Sequence, residues 1–384
     1  MRILILTGNL ALGGAERQIA VMARAMVAQG HEVGIAVMYP GGELEAELAA
    51  SDVKMFSLSK RGRWDLASFF LKLSSTISMF RPDIFQTYLT TPNIAGALLQ
   101  PRLGRVRLVW GVRSSDVDLS QYDMFSRHCA RLEAFLSPRC DLAIANSHAG
   151  TRAHLGRGFR PRRFEVVGNG IDTERFKRRL EQRTRLRALW KISELEKLCL
   201  SVGRLDPMKD RRTLLQSIQY WPTNALLAIV GRGSEEARSK LRSDVRQLGL
   251  DHRVRLIEGM SDIENAYAAA DMLILSSAFG EGFPNVVAEA MSCELLVVAT
   301  NVGDVRDIVG SCGRIVPTKD PEAMGRAVAD VLSVNSGLSV DARLRITSNY
   351  SVSAMVERTL QLYREAIYDE RLPPTTKVEA EREH

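Results

Sequence analysis

The chain has 384 residues and a formal net charge of +7, with 45% hydrophobic and 25% charged residues. This composition is typical of a soluble globular protein, and the length predicts two or three domains that each bury a core. Five scattered cysteines without a CxxC or Cys/His cluster predict reduced thiols in a cytosolic compartment, and they exclude a disulfide framework and a zinc site. We expect no signal peptide and no spanning helix, because the apolar runs are too short.

The excess positive charge lies entirely in the first part of the chain. Residues 1–165 contain 21 Lys and Arg against 14 Asp and Glu, and the remainder is balanced. Two interpretations stay open: a solvated basic face, or a surface that meets anionic lipid or phosphate-bearing material. Nucleic acid is not an expected partner, because no basic motif interleaved with aromatic residues is visible.

The first half of the chain alternates short apolar runs with segments of helical periodicity. The predicted strands are, in order, RILILTG, HEVGIAVMY, DIFQTYL, VRLVWGV and LAIANS, and the segment AERQIAVMARAMVAQG between the first two is a helix closed by Gly30. Continuous apolar strands separated by helices predict a parallel sheet that is covered on both faces.

The same alternation then restarts. The strands KLCLSVGRL, ALLAIVGRG, VRLIEG, MLILSS and LLVVAT alternate with the helices RRTLLQSIQYW, EEARSKLRSDVRQLG, DIENAYAAA and PNVVAEAMSC. The sequence therefore predicts an α/β fold of two successive doubly wound units. A hinge is expected in the basic, polar stretch from Phe176 to about Glu196. An amphipathic helix is predicted from Val352, followed by a charged tail that we expect to be disordered.

Candidate site residues follow the predicted strands, since ligands of doubly wound sheets bind outside the carboxyl ends of strands. Arg204 and Lys209 follow one strand, and two cations there suit a diphosphate unless they are only surface charges. The Gly-Gly pair that ends at Gly14 forms either a plain turn or a loop that an anion approaches. Gly231 in IVGRGSEE forms either the floor of a nucleotide pocket or a turn.

The segment EGFPNVVAE places two carboxylates around another strand-to-helix turn. Glu281 lies in the loop, and Pro284 suits the first turn of the following helix. Amide groups near Phe283, Pro284 and Asn285 favour a phosphate or a developing anion. Glu289, about a turn and a half into the helix, can accept hydrogen bonds from a ribose diol, and Glu281 can accept them from a sugar. The segment predicts a polyol ligand bracketed by acids.

The ordered set of motifs resembles retaining glycosyltransferase family 4, whose members have the two-domain GT-B fold. The matching pieces are GGAE, NGIDTERF, VGRLDPMKD, ADMLILSS, EGFPNVVAEAM and VVATNVGDVRDIV, in family order. The resemblance implies two Rossmann-like domains facing a central cleft, with residues 1–177 on the acceptor side and residues 178–355 binding the nucleotide-sugar. Residues 356–370 would form a helix that crosses back, and residues 371–384 a disordered tail. The implied reaction retains the anomeric configuration and needs no metal ion or other cofactor.

The resemblance also implies a role for each matching position. Arg204 and Lys209 would stabilise the leaving diphosphate, and Glu281 would hold the donor sugar near its reacting face. Glu289 would bind the ribose, and Gly259–Asp262 would border the base. The implied donor-binding residues are Gly14, Gly231, Gly259, Met260, Gly282, Phe283, Pro284, Asn285 and Glu289.

The acceptor side departs from the family pattern. Many members carry a histidine after the third strand, where this chain has Thr90 and Thr91. WGVRSSD supplies Arg113 and Asp116 after the fourth strand, as acceptor-side candidates or as a surface pair. The expected partners are a nucleotide-sugar donor and a glycan or lipid-linked acceptor in cell-surface polysaccharide biosynthesis, including lipopolysaccharide.

The expected location is the cytoplasm, at the inner face of the cytoplasmic membrane. The segment KRGRWDLASFFLKL combines basic residues with Trp64, Phe69 and Phe70, as an interfacial helix would. The competing interpretation is that these aromatic residues belong to the core and that the charges are solvated.

Two further functions stay open beside the transferase. One is a nucleotide-sugar epimerase or a phosphorylase on the same architecture, and the other is a non-catalytic nucleotide-sugar-binding protein. The intact set of two cations and two carboxylates favours an enzyme over the non-catalytic protein.

Overall fold

The computed structural model describes residues 1–11, 13–62, 64–113, 124–333 and 338–369. The chain divides into two compact units. The first contains Met1–Gly170 together with the C-terminal segment from Val352, and the second is Ile171–Ser351.

In the described part of the first unit, seven strands form a parallel sheet. They are β1 (Arg2–Thr7), β2 (Glu32–Val37), β3 (Lys54–Ser57), β4 (Ile84–Tyr88), β5 (Arg107–Val112), β6 (Leu142–Ala145) and β7 (Phe164–Val166). Their order across the sheet is β3-β2-β1-β4-β5-β6-β7. The order reverses between β1 and β4, which is the topological switch point of a doubly wound sheet.

Helices cover both faces of this sheet, namely α1 (Gly14–Ala28), α2 (Leu44–Ala49), α3 (Leu66–Phe80), α4 (Thr90–Leu99), α5 (Met124–Leu136), α6 (His148–Gly156) and the C-terminal helix α15 (Val352–Tyr368). Successive residues of β1 point to opposite faces, as the period of a strand requires. Ile3 and Ile5 lie in one core together with Tyr363 of α15. Leu4 and Leu6 lie in the core on the other face. Apolar side chains therefore cover both faces of the sheet, and the loops lie at the ends of the strands.

The second unit repeats the plan with six described strands, all parallel: β8 (Lys197–Val202), β9 (Ala225–Gly231), β10 (Val254–Glu258), β11 (Met272–Leu275), β12 (Leu296–Thr300) and β13 (Gly313–Val316). Its described helices are α7 (Leu180–Leu189), α8 (Arg211–Ser217), α9 (Glu235–Gln247), α10 (Ile263–Ala269), α11 (Asn285–Ser292), α12 (Val305–Val309), α13 (Pro321–Ser333) and α14 (Leu338–Asn349). The strand order is β10-β9-β8-β11-β12-β13, so the switch point lies between β8 and β11.

The predicted fold class, two doubly wound units, is confirmed, but the division between the units differs from the predicted one. The first unit ends at Gly170 rather than at residue 177. Gln18 of α1 explains this, because its amide donates to the Gly170 carbonyl at 3.0 Å and accepts from the Gly170 N–H at 2.9 Å. The C-terminal helix belongs to the first unit from Val352 onward rather than from residue 356. The predicted tail at 371–384 lies outside the described residues.

The stretch from Phe176 to Glu196, predicted as a hinge, contains α7 and belongs to the second unit. Its basic residues are structural in part. Arg183 donates to Asp271 at 2.8 Å, and the buried Arg187 donates to the carbonyls of Ser193 and Glu196. The first contact fixes α7 beside the start of β11, and the second fixes it to the segment that precedes β8.

Candidate active site

The loops that follow β8 and β11 form the centre of the candidate site. The two strands are parallel neighbours, so both loops leave the same edge of the sheet, at the switch point. The first loop ends in a short 3-10 turn, Pro207–Lys209. Backbone contacts tie the loops together, since Ala278 donates its N–H to Met208 at 2.8 Å and the Ser276 hydroxyl donates to the Lys209 carbonyl at 2.7 Å.

Lys209 and Glu281, both predicted site residues, meet in this structure. The Lys209 ammonium lies 2.5 Å from Glu281 Oε1, and the side chains are 13% and 10% exposed. The Ser277 hydroxyl donates to the same carboxylate oxygen at 2.6 Å. A buried, charge-assisted contact of this kind holds both groups in one geometry before any ligand arrives.

Two glycines allow this packing. Gly203 has φ +144°, and a Cβ there would lie 3.0 Å from Lys209 Cε. Gly231, at the end of β9, approaches so closely that its Cβ would lie 2.0 Å from the Gly203 carbonyl oxygen. Gly231 therefore has a backbone reason to be glycine, and its predicted part in a nucleotide pocket stays a prediction.

Arg204, the other predicted cation, lies in a different environment. Its side chain is 77% exposed, and its guanidinium is 3.7 Å from Asp206. The structure does not bring it into the buried pair, so its predicted role depends on ligand binding.

Arg211 is the cation that the sequence analysis missed. Its guanidinium donates to the Ser201 hydroxyl and, at 3.4 Å, to the Gly203 carbonyl. Burial lowers the pKa of Arg211 to about 10, an effect that the Glu281 carboxylate opposes. The signal that could have found it is position: Arg211 is the first residue of α8, two residues after Lys209, and Asp210 before it has φ +40°.

Helix α11 begins one residue later than predicted. Pro284 is the capping residue, with φ −74° and ψ 98°, and the helix starts at Asn285. The Pro284 carbonyl accepts the Val287 N–H at 3.0 Å, which a residue just outside the first turn can do. Phe283 is buried, and its ring lies 5.3 Å from that of Tyr350, so its side chain belongs to the core.

Glu289 lies one turn into α11 and accepts a hydrogen bond from the Tyr267 hydroxyl at 2.7 Å. Burial, followed by the charge of Glu289, raises the pKa of Tyr267 well above its ordinary value, so the phenol stays a donor. This contact orients the carboxylate that was predicted to bind ribose. The ribose role itself stays a prediction.

A third loop, after β12, braces the Glu281 segment. Asp304 donates its N–H to the Gly282 carbonyl at 2.9 Å. Gly303 has φ +56°, and a Cβ there would lie 2.5 Å from the carbonyl oxygens of Glu281 and Gly282. Gly303 lies in the motif VVATNVGDVRDIV but was not predicted as a site residue. The signal that could have found it is its position just after β12, whose carboxyl end lies at the same side of the sheet as those of β8 and β11.

The remaining predicted donor residues occupy the ends of other elements. Gly259 follows β10, and a Cβ there would lie 2.3 Å from Arg232 Cγ. Met260 is partly buried against the core. Gly14 is the first residue of α1 in the first unit, with open space where a Cβ would be. Their roles toward the base and the phosphates stay predictions.

In the first unit, Arg113 follows β5 and is held by internal partners. Its guanidinium donates to Asn169 Oδ1 at 2.8 Å and lies 5.3 Å from the centre of the Tyr88 ring. Neighbouring Leu89, at the end of β4, has φ +71°, which is uncommon for a branched residue. Asp116 lies outside the described residues.

Neither a metal cluster nor a spanning helix is found in the described ranges. No group of three or more His, Cys, Asp and Glu residues there could hold a metal ion. No described helix combines the length and apolar character needed to cross a bilayer. Metal independence stays a prediction.

Two protein-family profiles match the chain. Residues 12–175 match "Glycosyltransferase Family 4", and residues 196–334 match "Glycosyl transferases group 1". Together the two matches span most of both units. The chain belongs to glycosyltransferase family 4. The predicted family and the hexosyltransferase-type enzyme are thereby confirmed, and the chain is a glycosyltransferase.

Curated relatives of this family 4 enzyme are transferases. The N-acetylgalactosamine-N,N'-diacetylbacillosaminyl-diphospho-undecaprenol 4-alpha-N-acetylgalactosaminyltransferase of Campylobacter jejuni is 25% identical over 302 residues, which are 76% of this chain and 79% of that protein. The D-inositol 3-phosphate glycosyltransferase of Saccharomonospora viridis is 31% identical over 225 residues, which are 54% of this chain and 51% of that protein. The chain thus spans about half the length of the second relative.

Solved structures share the fold at low sequence identity. Anabaena HepE in complex with UDP superposes with a TM-score of 0.83 at 21% identity, covering 95% of this chain and 100% of that one. WaaG, a glycosyltransferase involved in lipopolysaccharide biosynthesis, superposes with a TM-score of 0.70 at 17% identity, covering 94% and 99%. These similarities confirm the predicted GT-B fold.

Proposed function

We propose that this family 4 enzyme moves a sugar from a nucleoside diphosphate-sugar to a glycan or lipid-linked acceptor in cell-surface polysaccharide biosynthesis, with retention of anomeric configuration. The observation that carries the proposal is the buried Lys209–Glu281 pair at the switch point of the second sheet. Switch points are where doubly wound sheets bind nucleotides.

The Lys209 ammonium is suited to the leaving diphosphate. An ammonium has three donors, and its contact with Glu281 uses one of them. Breaking the bond between the sugar and the diphosphate places negative charge on the leaving phosphate. A preorganised cation in a shielded site lowers that barrier, by about 3 kcal/mol for a comparable oxyanion donor.

The two carboxylates suit the hydroxyls of the donor. Glu281 is fixed by Lys209 and Ser277, and its second oxygen can accept from the sugar. Glu289 accepts from Tyr267 through Oε2, and an ionised carboxylate has about four acceptor positions. A ribose diol can therefore be held without displacing Tyr267.

The acceptor class is supported by similarity. The Campylobacter jejuni relative carries a diphospho-undecaprenol acceptor in its name, and it matches this chain over 79% of its own length. A lipid-linked acceptor lies at a membrane, so the enzyme needs access to a membrane surface.

The first unit carries exposed apolar side chains that suit an anionic membrane surface. Trp64, before α3, is 84% exposed, and Phe135 of α5 is 78% exposed. Phe125, Leu132 and Phe135 are spaced so that they share one exposed face of α5. Such aromatic and aliphatic groups on a domain with excess positive charge favour an interfacial contact.

The predicted interfacial segment is partly wrong. Phe69 is buried in the core of the first unit, and Phe70 packs against that core. Lys60 is also buried, where its ammonium donates to the Gly62 carbonyl and lies 5.8 Å from the centre of the Tyr39 ring. Trp64 remains available, and α5 is the element that the sequence analysis missed. Arg63 lies outside the described residues.

Product analysis tests the transferase. The protein is screened for thermal stabilisation by nucleotide-sugars, then incubated with a stabilising donor and a diphospho-lipid glycan acceptor. Mass spectrometry should show acceptor plus one sugar, and NMR of the new linkage should show the donor's anomeric configuration. Release of nucleotide without acceptor, or a requirement for inorganic phosphate, would instead identify an epimerase or a phosphorylase. Binding without turnover would identify a non-catalytic protein.

Liposome co-sedimentation tests the membrane contact separately. Binding should require anionic lipid and weaken with salt. It should fall in the Trp64→Ser, Phe135→Ser double variant. Leu195→Ser, which changes an equally exposed apolar residue of the second unit, is the matched control and should bind normally. Equal binding by both variants would contradict the proposed surface and leave the transferase unaffected.

A further inference from the structure

The Arg211 guanidinium lies beside the Lys209–Glu281 pair without being part of it. It donates to the Ser201 hydroxyl and to the Gly203 carbonyl, and that hydroxyl donates in turn to the Ile274 carbonyl at 2.9 Å. Its contacts therefore join the end of β8 to the end of β11. These are the two strands whose loops carry the candidate site.

Arg211 and Lys209 flank a single point of the backbone. A Cβ on Gly203 would lie 3.5 Å from Lys209 Nζ and 3.6 Å from Arg211 Nη2. The glycine thus leaves room for two cations at the same place. Glu281 is the carboxylate that pairs with Lys209, and its charge also acts on Arg211, so both cations are placed against the same buried acid.

An arginine is a costly choice for this position if its role is only to pack. Its Nε is shielded from solvent and has no hydrogen-bond partner among the described residues. Shielding a charged group that is incompletely bonded is unfavourable, and an apolar side chain would avoid that cost. A functional use of the charge explains why it is there.

We propose that Arg211 is a positioning residue for the donor diphosphate. It holds the Gly203 loop in place and gives Glu281 a second cationic neighbour, so that the remaining donors of the Lys209 ammonium are left for the diphosphate. The inference rests on the proposed nucleotide-sugar site. In this inference the positive charge of Arg211 is needed in addition to the hydrogen bonds that Arg211 donates.

Three substitutions separate charge from hydrogen bonding. Arg211→Lys keeps the charge, Arg211→Gln keeps a donor without the charge, and Arg211→Met keeps neither. Arg212→Met is the matched control, because it removes an exposed arginine from the next position of the same helix. Melting temperature, steady-state kinetics and calorimetric binding are measured for each. The binding probes are UDP, GDP and ADP, with the matching nucleosides as phosphate-free ligands.

The expected pattern depends on phosphate and on charge. Arg211→Gln and Arg211→Met should bind the preferred nucleoside diphosphate about tenfold more weakly and lose about 100-fold in kcat, the range seen for a lost oxyanion donor. Nucleoside binding should be unchanged. Arg211→Lys should recover most of the diphosphate affinity, and Arg212→Met should behave as the wild type.

The outcomes separate this inference from the proposed function. If the wild type binds a nucleoside diphosphate and transfers sugar while Arg211→Gln does the same at a similar rate, Arg211 is only structural and the inference is wrong. The transferase then stands. If Arg211→Met fails to fold, the comparison of Arg211→Lys with Arg211→Gln decides whether the charge matters, provided that these two variants have similar melting temperatures. If the wild type binds none of the three diphosphates, the donor site is wrong and the inference falls with it.

Discussion

Lys209 and Arg204 differ in burial, and their substitutions should therefore differ in kind. Lys209→Ala leaves the Glu281 carboxylate enclosed without its 2.5 Å partner, so both turnover and melting temperature should fall. Arg204→Ala removes a side chain that is 77% exposed, so turnover should fall while the melting temperature stays within about a degree. Both losses of kcat should reach about 100-fold if each cation stabilises the leaving diphosphate.

The control for the Lys209 variant is the double variant Lys209→Ala, Glu281→Gln. Neutralising both partners should restore most of the lost stability without restoring activity. A Lys209→Ala protein with near-normal transfer would remove Lys209 from the leaving-group role.

Substitutions of Glu289 and of Glu281 should have different effects on nucleotide binding, as measured by calorimetry. Glu289→Ala should weaken binding of the free nucleoside diphosphate, because this acid is assigned to ribose. Glu281→Gln should spare that binding and impair transfer. Tyr267→Phe removes the hydrogen bond that orients Glu289, and we expect a loss of about 1 kcal/mol in nucleotide binding. The opposite pattern for the two acids would reverse their assignment.

Glu133 gives the first unit a pH-dependent stability. It is buried and accepts from Asn93 at 2.8 Å, and burial raises the pKa of its carboxyl above the ordinary value. The folded state therefore binds this proton more tightly than the unfolded state, and the contribution to stability is lost as pH rises through the folded pKa. Glu133→Gln should match the wild type in melting temperature near pH 3.5, below the unfolded pKa of about 4.3, and exceed it at pH 8. An equal difference at both pH values would contradict the linkage.

Part of this site could be predicted from residue order, and part could not. Lys209 and Glu281 each follow a continuous apolar strand, and the carboxyl ends of parallel strands share an edge, so their meeting was foreseeable. Arg211 opens a helix, where an arginine is indistinguishable by pattern from a solvated one. Its enclosure depends on Gly203, whose φ of +144° no sequence pattern showed. Phe69 was misplaced because one aromatic residue on an amphipathic helix suits a core and an interface equally.

The secondary structure, too, could be predicted only in part. The long apolar strands were predicted correctly, but β3, β7 and β13 were missed, because they have only four, three and four residues and are partly exposed. Helix α7 was missed because its hydrophobic periodicity is weak and its arginines do not separate a polar face from an apolar one. Its place is fixed instead by Asp271, which is distant in sequence.

The loop after β12 should be as sensitive as the catalytic loops. Gly303→Ala places a Cβ 2.5 Å from two carbonyl oxygens at a φ of +56°, so the Glu281 segment must shift. The left-handed backbone alone costs about 1 kcal/mol, and we expect at least a tenfold loss of kcat from the displaced carboxylate. Gly156→Ala is the control, since nothing lies within 4 Å of its Cβ position. Normal activity of Gly303→Ala would show that this loop does not position Glu281.

For the complete enzyme, transfer should survive chelation. The candidate diphosphate site offers lysine and arginine side chains, and no metal-ligand cluster is found among the residues described. Activity with and without EDTA should agree within about twofold. A complete loss that only a divalent ion restores would assign neutralisation of the phosphate charge to a metal rather than to Lys209 and Arg204.

The first unit is built from both ends of the chain, and this affects how the protein can fold during synthesis. Val356, Leu360 and Tyr363 of α15 share a core with Ile3 and Ile5 of β1. The ribosome makes the second unit, Ile171–Ser351, as one continuous stretch, while the first unit waits for its last helix. The unit that emerges first should therefore be the last to complete its core, and a nascent chain ending before Val352 would leave that apolar face uncovered for chaperones to bind.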